Sequence, residues 1–263
     1  MTAEARCVWL YAVTADDAGL PPDGASGVGG GRLRAVRAAG LTAVVEDVAE
    51  DEFGEAALRR NLEDLDWLER TARAHHAVIG ALAGHGPVVP MRLATVYSGD
   101  DPVADTLRRR NGDLREALLR VKGRGEWGVK AYAAAPADPA PEPPGRPGDA
   151  TGPGAAYLQR RRAQLSSRTN ARQEAAAGAQ AVHAELIRLS VSARRYPPQA
   201  PGLAGQTAPM VLNAAYLVAD ERAGEFAAAV NDLTGRHRSV LLALTGPWPA
   251  YSFVGGSGTS GEE

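Results

Sequence analysis

The sequence has one cysteine among 263 residues, Cys7, and only 5% aromatic residues. One cysteine excludes an intrachain disulfide framework and any zinc site built from several cysteines. No apolar run approaches the roughly 18 residues that a membrane-spanning helix needs, so we expect no membrane partner. The first residues lack a basic segment followed by an apolar one, so no signal peptide is expected. These absences together predict a cytoplasmic protein.

An excess of charge of one sign is also missing. Lys and Arg number 29 and Asp and Glu 31, which gives a formal net charge of −2. This balance excludes a generally basic nucleic-acid binder, although it allows a local basic patch. A hydrophobic share of 44% argues against a disordered chain. The length allows one large domain or two of about 150 residues.

The motifs of catalysis and cofactor binding are absent as well. The glycine-rich stretch 27–31 lacks G-x-G-x-x-G spacing, because Arg32 replaces the third glycine, so we interpret it as a flexible loop. His75 and His76 are adjacent and point about 100° apart on a helix, which disfavours a shared metal ion. His75 lies in an apolar stripe, which favours a hydrogen-bonded core histidine. We expect no enzyme activity, no cofactor and no metal.

Strands and helices alternate along the chain, which predicts an α+β fold. Apolar runs of strand length occur at 7–13, 41–48, 88–97, 126–132, 210–218 and 239–245. Apolar residues from Leu58 to Leu82 recur at spacings of three and four, which predicts one continuous helix. Another helix is predicted from Asp101 to Val121.

Two domains are predicted, an N-terminal α+β domain at 1–122 and a C-terminal domain at 123–254. A Pro/Gly-rich stretch at 136–154 either links domains or forms a long surface loop, and we favour a loop within the second domain. The strand and helix order of that domain resembles a ferredoxin-like layer. The Gly/Ser-rich tail at 255–263 is expected to be disordered.

One predicted helix, at 155–193, is rich in arginine and has few acidic residues. The residues that could bind an RNA backbone or an acidic protein surface are Arg160, Arg161, Arg162, Arg168 and Arg172, and Tyr157 is the one aromatic residue near them. RNA binding usually adds more stacking aromatic residues than the single tyrosine here, so a protein partner is favoured and no nucleic acid is expected. An adaptor for RNA or an acidic partner remains the alternative function, and a solvated, projecting helix is the structural alternative.

Seven segments follow one another in a specific order. They are W-L-Y-A-V at 9–13, W-L-E-R-T-A-R-A-H at 67–75, P-V-V-P-M-R at 87–92, E-W-G-V-K at 126–130, A-Y-L at 156–158, L-N-A-A-Y-L-V at 212–218 and T-G-P-W-P-A-Y-S-F at 245–253. Through them the chain resembles the gas vesicle accessory proteins F and L over nearly its whole length. Two positions depart from that family: His76 stands where an acidic residue is common, and Ala94 where glycine is common.

The resemblance implies two α+β domains, the second a modified ferredoxin-like fold with long, coiled-coil-like helices. It also implies a non-enzymatic assembly factor associated with gas vesicles, the gas-filled protein shells that give cells buoyancy. Such a protein is expected to bind the small hydrophobic shell protein and to limit its aggregation during nucleation, in a chaperone-like way. It can remain as a minor shell component, and other gas vesicle accessory proteins are further expected partners.

A subunit that assembles into β-ribbed shells exposes apolar surface and strand edges beforehand. A partner that shields them needs an apolar groove or an open sheet edge. Three parts of this chain are candidates: the strand edge at 88–97, the tryptophan-bearing end at 247–253, and the arginine-rich helix.

Individual residues of the first two candidates have structural alternatives. Arg92 is a candidate contact with the partner, or an internal brace paired with Glu46, Asp47 or the acidic residues of the helix. The candidate contacts in the tryptophan-bearing end are Trp248, Tyr251 and Phe253. These three side chains would alternatively cap the core of the domain.

Overall fold

The computed structural model describes residues 5–16, 26–134, 153–199 and 208–255, without the side chains of 153–158 and 160. The predicted loop at 136–154 lies almost entirely outside the described residues, as does the predicted tail from residue 256 onwards. No helix in the described ranges has the length and apolarity to cross a membrane.

The chain forms two compact units. Unit 1 comprises Met1–Glu126 with Pro247–Glu263, and unit 2 comprises Trp127–Gly246. These units differ from the predicted domains 1–122 and 123–254 mainly in the closing segment, which groups with unit 1. The reason is packing: Phe253 is buried, and its carbonyl oxygen accepts a hydrogen bond of 3.0 Å from Arg120 of unit 1.

Unit 1 is an antiparallel sheet with helices on both faces. Its elements in chain order are β1 (Arg6–Ala15), β2 (Leu33–Ala38), β3 (Leu41–Ala49), α1 (Glu50–Phe53), α2 (Glu55–Asn61), α3 (Leu65–Ala83), β4 (Val89–Pro90), β5 (Val96–Tyr97), α4 (Asp100–Arg109), α5 (Asn111–Val121) and the start of β6 (Arg124–Ala133). The strand order is β2-β3-β1-β4, and β5 also pairs with β1.

Strand β1 is the centre of unit 1 and is buried along its length, from Cys7 to Thr14. One face packs against the helices α4 and α5, and the other against α1, α2 and α3. A register shift between Leu10 and Ala12 puts Tyr11 and Ala12 on the same face. Such a bulge re-aims side chains without ending the ladder.

Strand β2 was not predicted, because its arginines hide the apolar alternation. It pairs with β3 through a two-residue turn at Ala39 and Gly40, whose φ angles are 52° and 70°. Positive φ at both central residues is the geometry that a tight hairpin requires.

Two predicted helices are each broken in two. The helix from Leu58 to Leu82 ends at Asn61 and restarts at Leu65, which is 77% exposed. The spacing of apolar residues in the sequence continues across this break. Asp64, however, is the N-cap residue of a new helix, α3. The helix from Asp101 to Val121 likewise breaks at Arg110.

Unit 2 has the order and topology of a ferredoxin-like fold. Its elements are the rest of β6, α6 (Pro153–Leu189), β7 (Ser192–Arg195), β8 (Met210–Ala219), α7 (Ala223–Arg236) and β9 (Val240–Trp248), of which the last two residues belong to unit 1. The strand order is β7-β8-β6-β9, so β8 lies between β6 and β7, the two strands that α6 joins, as in a split βαβ unit. The α+β class is therefore confirmed.

The core of unit 2 lies between its sheet and the two helices. The predicted stripe of α6 is confirmed in Ala179, Val182 and Leu186, which are at most 3% exposed. Phe226 and Val230 of α7 pack into the same core. In contrast, all described side chains from 161 to 170 are exposed.

The cap at Asp64 gives a direct test of the break between α2 and α3. Its carboxylate accepts hydrogen bonds from the backbone N–H groups of Asp66 (3.0 Å) and Trp67 (3.2 Å). We expect Asp64→Ala to lower the free energy of unfolding by about 1 kcal/mol in denaturant titrations. The control Asp66→Ala, which removes a first-turn carboxylate that is not the cap, should lower it by only a few tenths of a kcal/mol. Equal losses would contradict the capping role.

Candidate functional site

The first candidate surface, at 88–97, is mostly closed. The predicted single strand is wrong in its middle, where a loop separates the two-residue strands β4 and β5. This loop is bound to β1, since the Met91 N–H donates to the Tyr11 carbonyl (2.8 Å) and the Leu10 N–H to the Thr95 carbonyl (2.9 Å). Pro90 does lie on an edge strand, as its missing N–H requires. The strand stretches left along this edge are only two residues long, which is short for pairing with a partner strand.

Arg92 is exposed at the turn of this loop. The internal brace is not formed, because Arg92 makes no ion pair with Glu46, Asp47 or an acidic helix residue in the described part of the chain, and Glu46 and Asp47 have other partners. The Glu46 carboxylate lies fully buried and accepts a 2.5 Å hydrogen bond from the Tyr11 hydroxyl. The Asp47 carboxylate pairs with Arg34 at 2.5 Å, and this guanidinium lowers the pKa of Asp47. Arg92 therefore remains a candidate for external contact.

His75 is the buried core histidine that its position predicted. The Trp9 indole N–H donates to its Nδ1 (3.0 Å), so the ring proton is on Nε2, which donates to the Met91 carbonyl (3.1 Å). The Tyr11 ring stacks on it, with centroids 5.3 Å apart. Burial lowers the pKa of His75 to about 4. The residue holds the loop of Arg92 in place from inside and has no nitrogen left for a metal.

The glycine-rich stretch at 27–31 is not the flexible loop that we expected. Its backbone wraps the Glu46 carboxylate, which accepts the N–H groups of Gly29 (3.3 Å) and Gly31 (2.6 Å). At Gly27, a Cβ atom would lie 1.9 Å from a Glu46 oxygen, so no larger residue fits. Glycines that admit an anion closely are typical of phosphate loops, but here the anion is a side chain of the protein itself.

The tryptophan-bearing end is partly anchored and partly exposed. Phe253 is 4% exposed, and its neighbours Tyr251 and Val254 pack against the core clusters of unit 1, which agrees with the capping alternative for this segment. The Tyr251 hydroxyl lies 2.9 Å from His76 Nδ1, and the Ser252 N–H and hydroxyl both donate to the Glu126 carboxylate. Burial raises the pKa of Tyr251. Trp248, by contrast, is 53% exposed and available to a partner.

The arginine-rich half of α6 is exposed to solvent. Arg161 and Arg162 are exposed, and no acidic side chain in the described ranges pairs with them. Leu165 is 55% exposed between them and Arg168. Tyr157 and Arg160 lie in α6, but their side chains are not among those described. This half offers positive charge with one exposed leucine, and no described aromatic side chain.

A shallow depression of about 550 Å³ lies beside β2 and is lined by Arg6, Arg32, Arg34 and Arg37. Its positive charge is partly neutralised, since Asp47 and Asp100 bind Arg34 and Asp16 lies 3.3 Å from Arg37. In the described part of the chain, no three metal-ligating side chains come together.

The sheet edges differ in how far they are protected against another strand. Natural edges are usually short, or carry charge. Edge strand β2 carries Arg34 and Arg37, β4 and β5 have two residues each, and β7 has four residues including Arg194 and Arg195. Edge strand β9 is nine residues long and has no charged residue. Among the described strands it pairs on one side only, with β6.

The sequence predicted a strand at 239–245 but not its position at the edge of the sheet. The uncharged run was visible, but which strand lies at an edge depends on pairing between residues more than 100 positions apart. Leu241, 53% exposed in the middle of this run, is the residue that the structure adds to the candidates.

Comparison with known proteins gives the same family throughout. Residues 7–255 match the family described as gas vesicle synthesis protein GvpL/GvpF. Gas vesicle protein L from Streptomyces sp. (strain CB03234) is 41% identical over 252 residues, covering 95% of this chain and 93% of the relative. Gas vesicle protein F2 from Halobacterium salinarum is 24% identical, covering 94% of this chain and 91% of the relative.

Solved structures give the same fold. The crystal structure of GvpF from Anabaena sp. PCC7120 superposes with a TM-score of 0.64 at 17% sequence identity. The match covers 98% of this chain and 100% of the GvpF chain. At this identity the likeness establishes the fold.

Acid should destabilise unit 1 through His75. Because its folded pKa is about 4 against 6.5 ordinarily, the stabilisation is complete above pH 6.5 and is lost as the pH falls through 4. The expected loss is about 3 kcal/mol, measured by denaturant titration at each pH. His75→Gln should flatten this dependence, whereas His76→Gln, an exposed neighbour, should keep it. An unchanged slope in His75→Gln would contradict the assignment.

Ala94 has a φ of 63°, which explains why glycine is common at this position in the family that the sequence resembles. A Cβ atom in this left-handed region costs roughly 1 kcal/mol. Ala94→Gly should therefore raise the free energy of unfolding by about 0.5 to 1 kcal/mol. Ala77→Gly, in the exposed middle of α3, should lower it by about 1 kcal/mol. A loss in both variants would mean that Ala94 is unstrained.

Proposed function

Because the chain belongs to the gas vesicle synthesis protein GvpL/GvpF family, we propose that it binds the small hydrophobic shell protein during vesicle assembly. A role in gas vesicle synthesis follows from the family itself, whose match over residues 7–255 carries the proposal. The finer role is that of a non-enzymatic, chaperone-like factor. It keeps the shell protein from aggregating during nucleation and remains as a minor component of the shell.

Exposed apolar and basic side chains support a binding role. Trp248 and Leu241 are each 53% exposed, so both side chains are available to an apolar partner. The exposed Arg161 and Arg162 add a basic surface for a second contact. A shell subunit before assembly has apolar surface to cover, and these side chains are among the exposed apolar ones in the described part of the chain.

The candidate contact residues whose side chains are described fall into two groups, according to whether those side chains are exposed or buried. Arg92, Arg161, Arg162 and Trp248 remain proposed contacts, and so do Tyr157 and Arg160. Half-buried Tyr251 and buried Phe253 are proposed to hold the tryptophan-bearing segment rather than to touch the partner. We also propose that the protein acts in the cytoplasm at the growing vesicle, together with other accessory proteins.

The exposed arginines favour one second candidate, an adaptor that binds RNA or an acidic partner through α6. Contacts with phosphate release counterions, so such binding weakens steeply as salt rises. Shielding of an apolar surface does not, because burial of apolar area is insensitive to screening. Salt dependence therefore separates the two functions.

The test is co-expression of the full chain with the small shell protein and co-purification at about 0.1 M and about 1 M salt. We expect a soluble complex at both concentrations. Because the basic surface is a second contact, we expect Arg161→Ala/Arg162→Ala to lower the yield at about 0.1 M salt and to leave the complex formed at about 1 M salt. The control is the shell protein expressed alone, which should be recovered only in the insoluble fraction.

Two results would contradict the proposal. If the shell protein aggregates equally with and without this chain, direct binding is wrong. If the chain instead carries RNA that is lost at high salt and in the double arginine variant, the adaptor function is correct.

A further inference from the structure

The outer edge of β9, defined here as residues 240–246, is the one long and uncharged sheet edge in the described residues. An edge strand presents unpaired backbone N–H and C=O groups, which pair readily with another strand. Proteins commonly use this to bind an extended segment by adding it to the sheet. From this geometry we propose that the outer edge of β9 binds an extended, uncharged segment of the shell protein as an additional strand. The inference rests on the proposed function and names its mode of binding.

The backbone groups that face outward can be assigned. The Ser239 carbonyl accepts the Ala134 N–H (2.9 Å), so the backbone of Ser239 faces β6. Successive residues of a strand point their backbone N–H and C=O groups to alternate sides. The backbone N–H and C=O groups of Leu242 and Leu244 therefore point away from β6. An added strand would pair with these two residues, and the existing ladder to β6 would stay intact.

The side chains around the edge decide which segment fits. The side chains of Leu242 and Leu244 pack against the core of unit 2. They are only partly buried, because no described strand lies on the outer side of β9. On the opposite face, Leu241 is exposed and Ala243 is partly buried. An added strand is therefore flanked by apolar side chains on both faces. That environment suits a continuous apolar run, as in strands buried on both sides.

Charge excludes other segments. A lysine or glutamate in the added strand would lose hydration beside Leu241 or Leu242 without gaining an opposite charge, since 240–246 has none. The uncharged edge thus selects for a hydrophobic partner such as a shell subunit. The arginine-bearing edges at β2 and β7 select against it. A second copy of β9 is the competing occupant.

The test is the yield of shell protein co-purified at about 1 M salt with full-length variants. Leu241→Lys and Leu241→Glu place a charge of either sign on the edge, at an exposed position where folding should be retained. We expect each to lower the recovered shell protein roughly tenfold, because an unpaired charge is desolvated on binding. Leu119→Lys, at a 72% exposed leucine in α5, is the matched control and should leave the yield within about twofold. Circular dichroism and denaturant midpoints verify folding of all three variants.

The outcomes separate this inference from the proposed function. Wild-type yield in both Leu241 variants, or a loss with only one sign of charge, overturns strand addition and leaves the binding role standing. A wild-type chain that recovers no shell protein overturns both. If ultracentrifugation of the chain alone shows a dimer that Leu241→Lys converts to monomers, the occupant is a second copy and the proposal is wrong.

Discussion

The burial of β1 on both faces is the constraint on which unit 1 depends. Water does not reach the side chains of a strand that is covered by helices on each side. The polar groups of those side chains must therefore form hydrogen bonds within the protein. The Trp9 indole and the Tyr11 hydroxyl find His75 and Glu46. Those partners have polar atoms of their own, and these are satisfied by the backbone of two loops, at Met91 and at 29–31. One buried strand thus fixes the conformation of loops far away in sequence.

Local patterns predicted the elements of unit 1 better than their connections. The apolar run of β1 and the core position of His75 could be predicted, because burial leaves a periodic signal in sequence. The wrapping of Glu46 by the glycine stretch could not, since a buried acid looks like any other acid until its partners are known. The break at Asp64 was missed for a related reason: the apolar period continued, and only the cap indicated a new helix.

The family resemblance and the structure explain different parts of the function. Seven ordered segments sufficed to predict the family, but several of them are structural in this molecule, including the buried Phe253 and the His75 network. The surface that we propose for a hydrophobic partner lies at 240–246 of β9, which has neither a charged residue nor a proline. Its position next to β6 results from long-range pairing, and therefore no local pattern could predict it. The other described sheet edges are short or carry charge, so the long uncharged edge of β9 is the one that favours pairing with a partner strand.

The central claim is that β9 receives a strand of the shell protein, and hydrogen exchange measures this most directly. Amide exchange of the full chain would be compared alone and in the co-purified complex, because an added strand protects the outward N–H groups. The account predicts that the amides of Leu242 and Leu244 exchange at least about tenfold more slowly in the complex, with 161–170 unchanged. Protection confined to 161–170, with exchange in β9 unaltered, would contradict it.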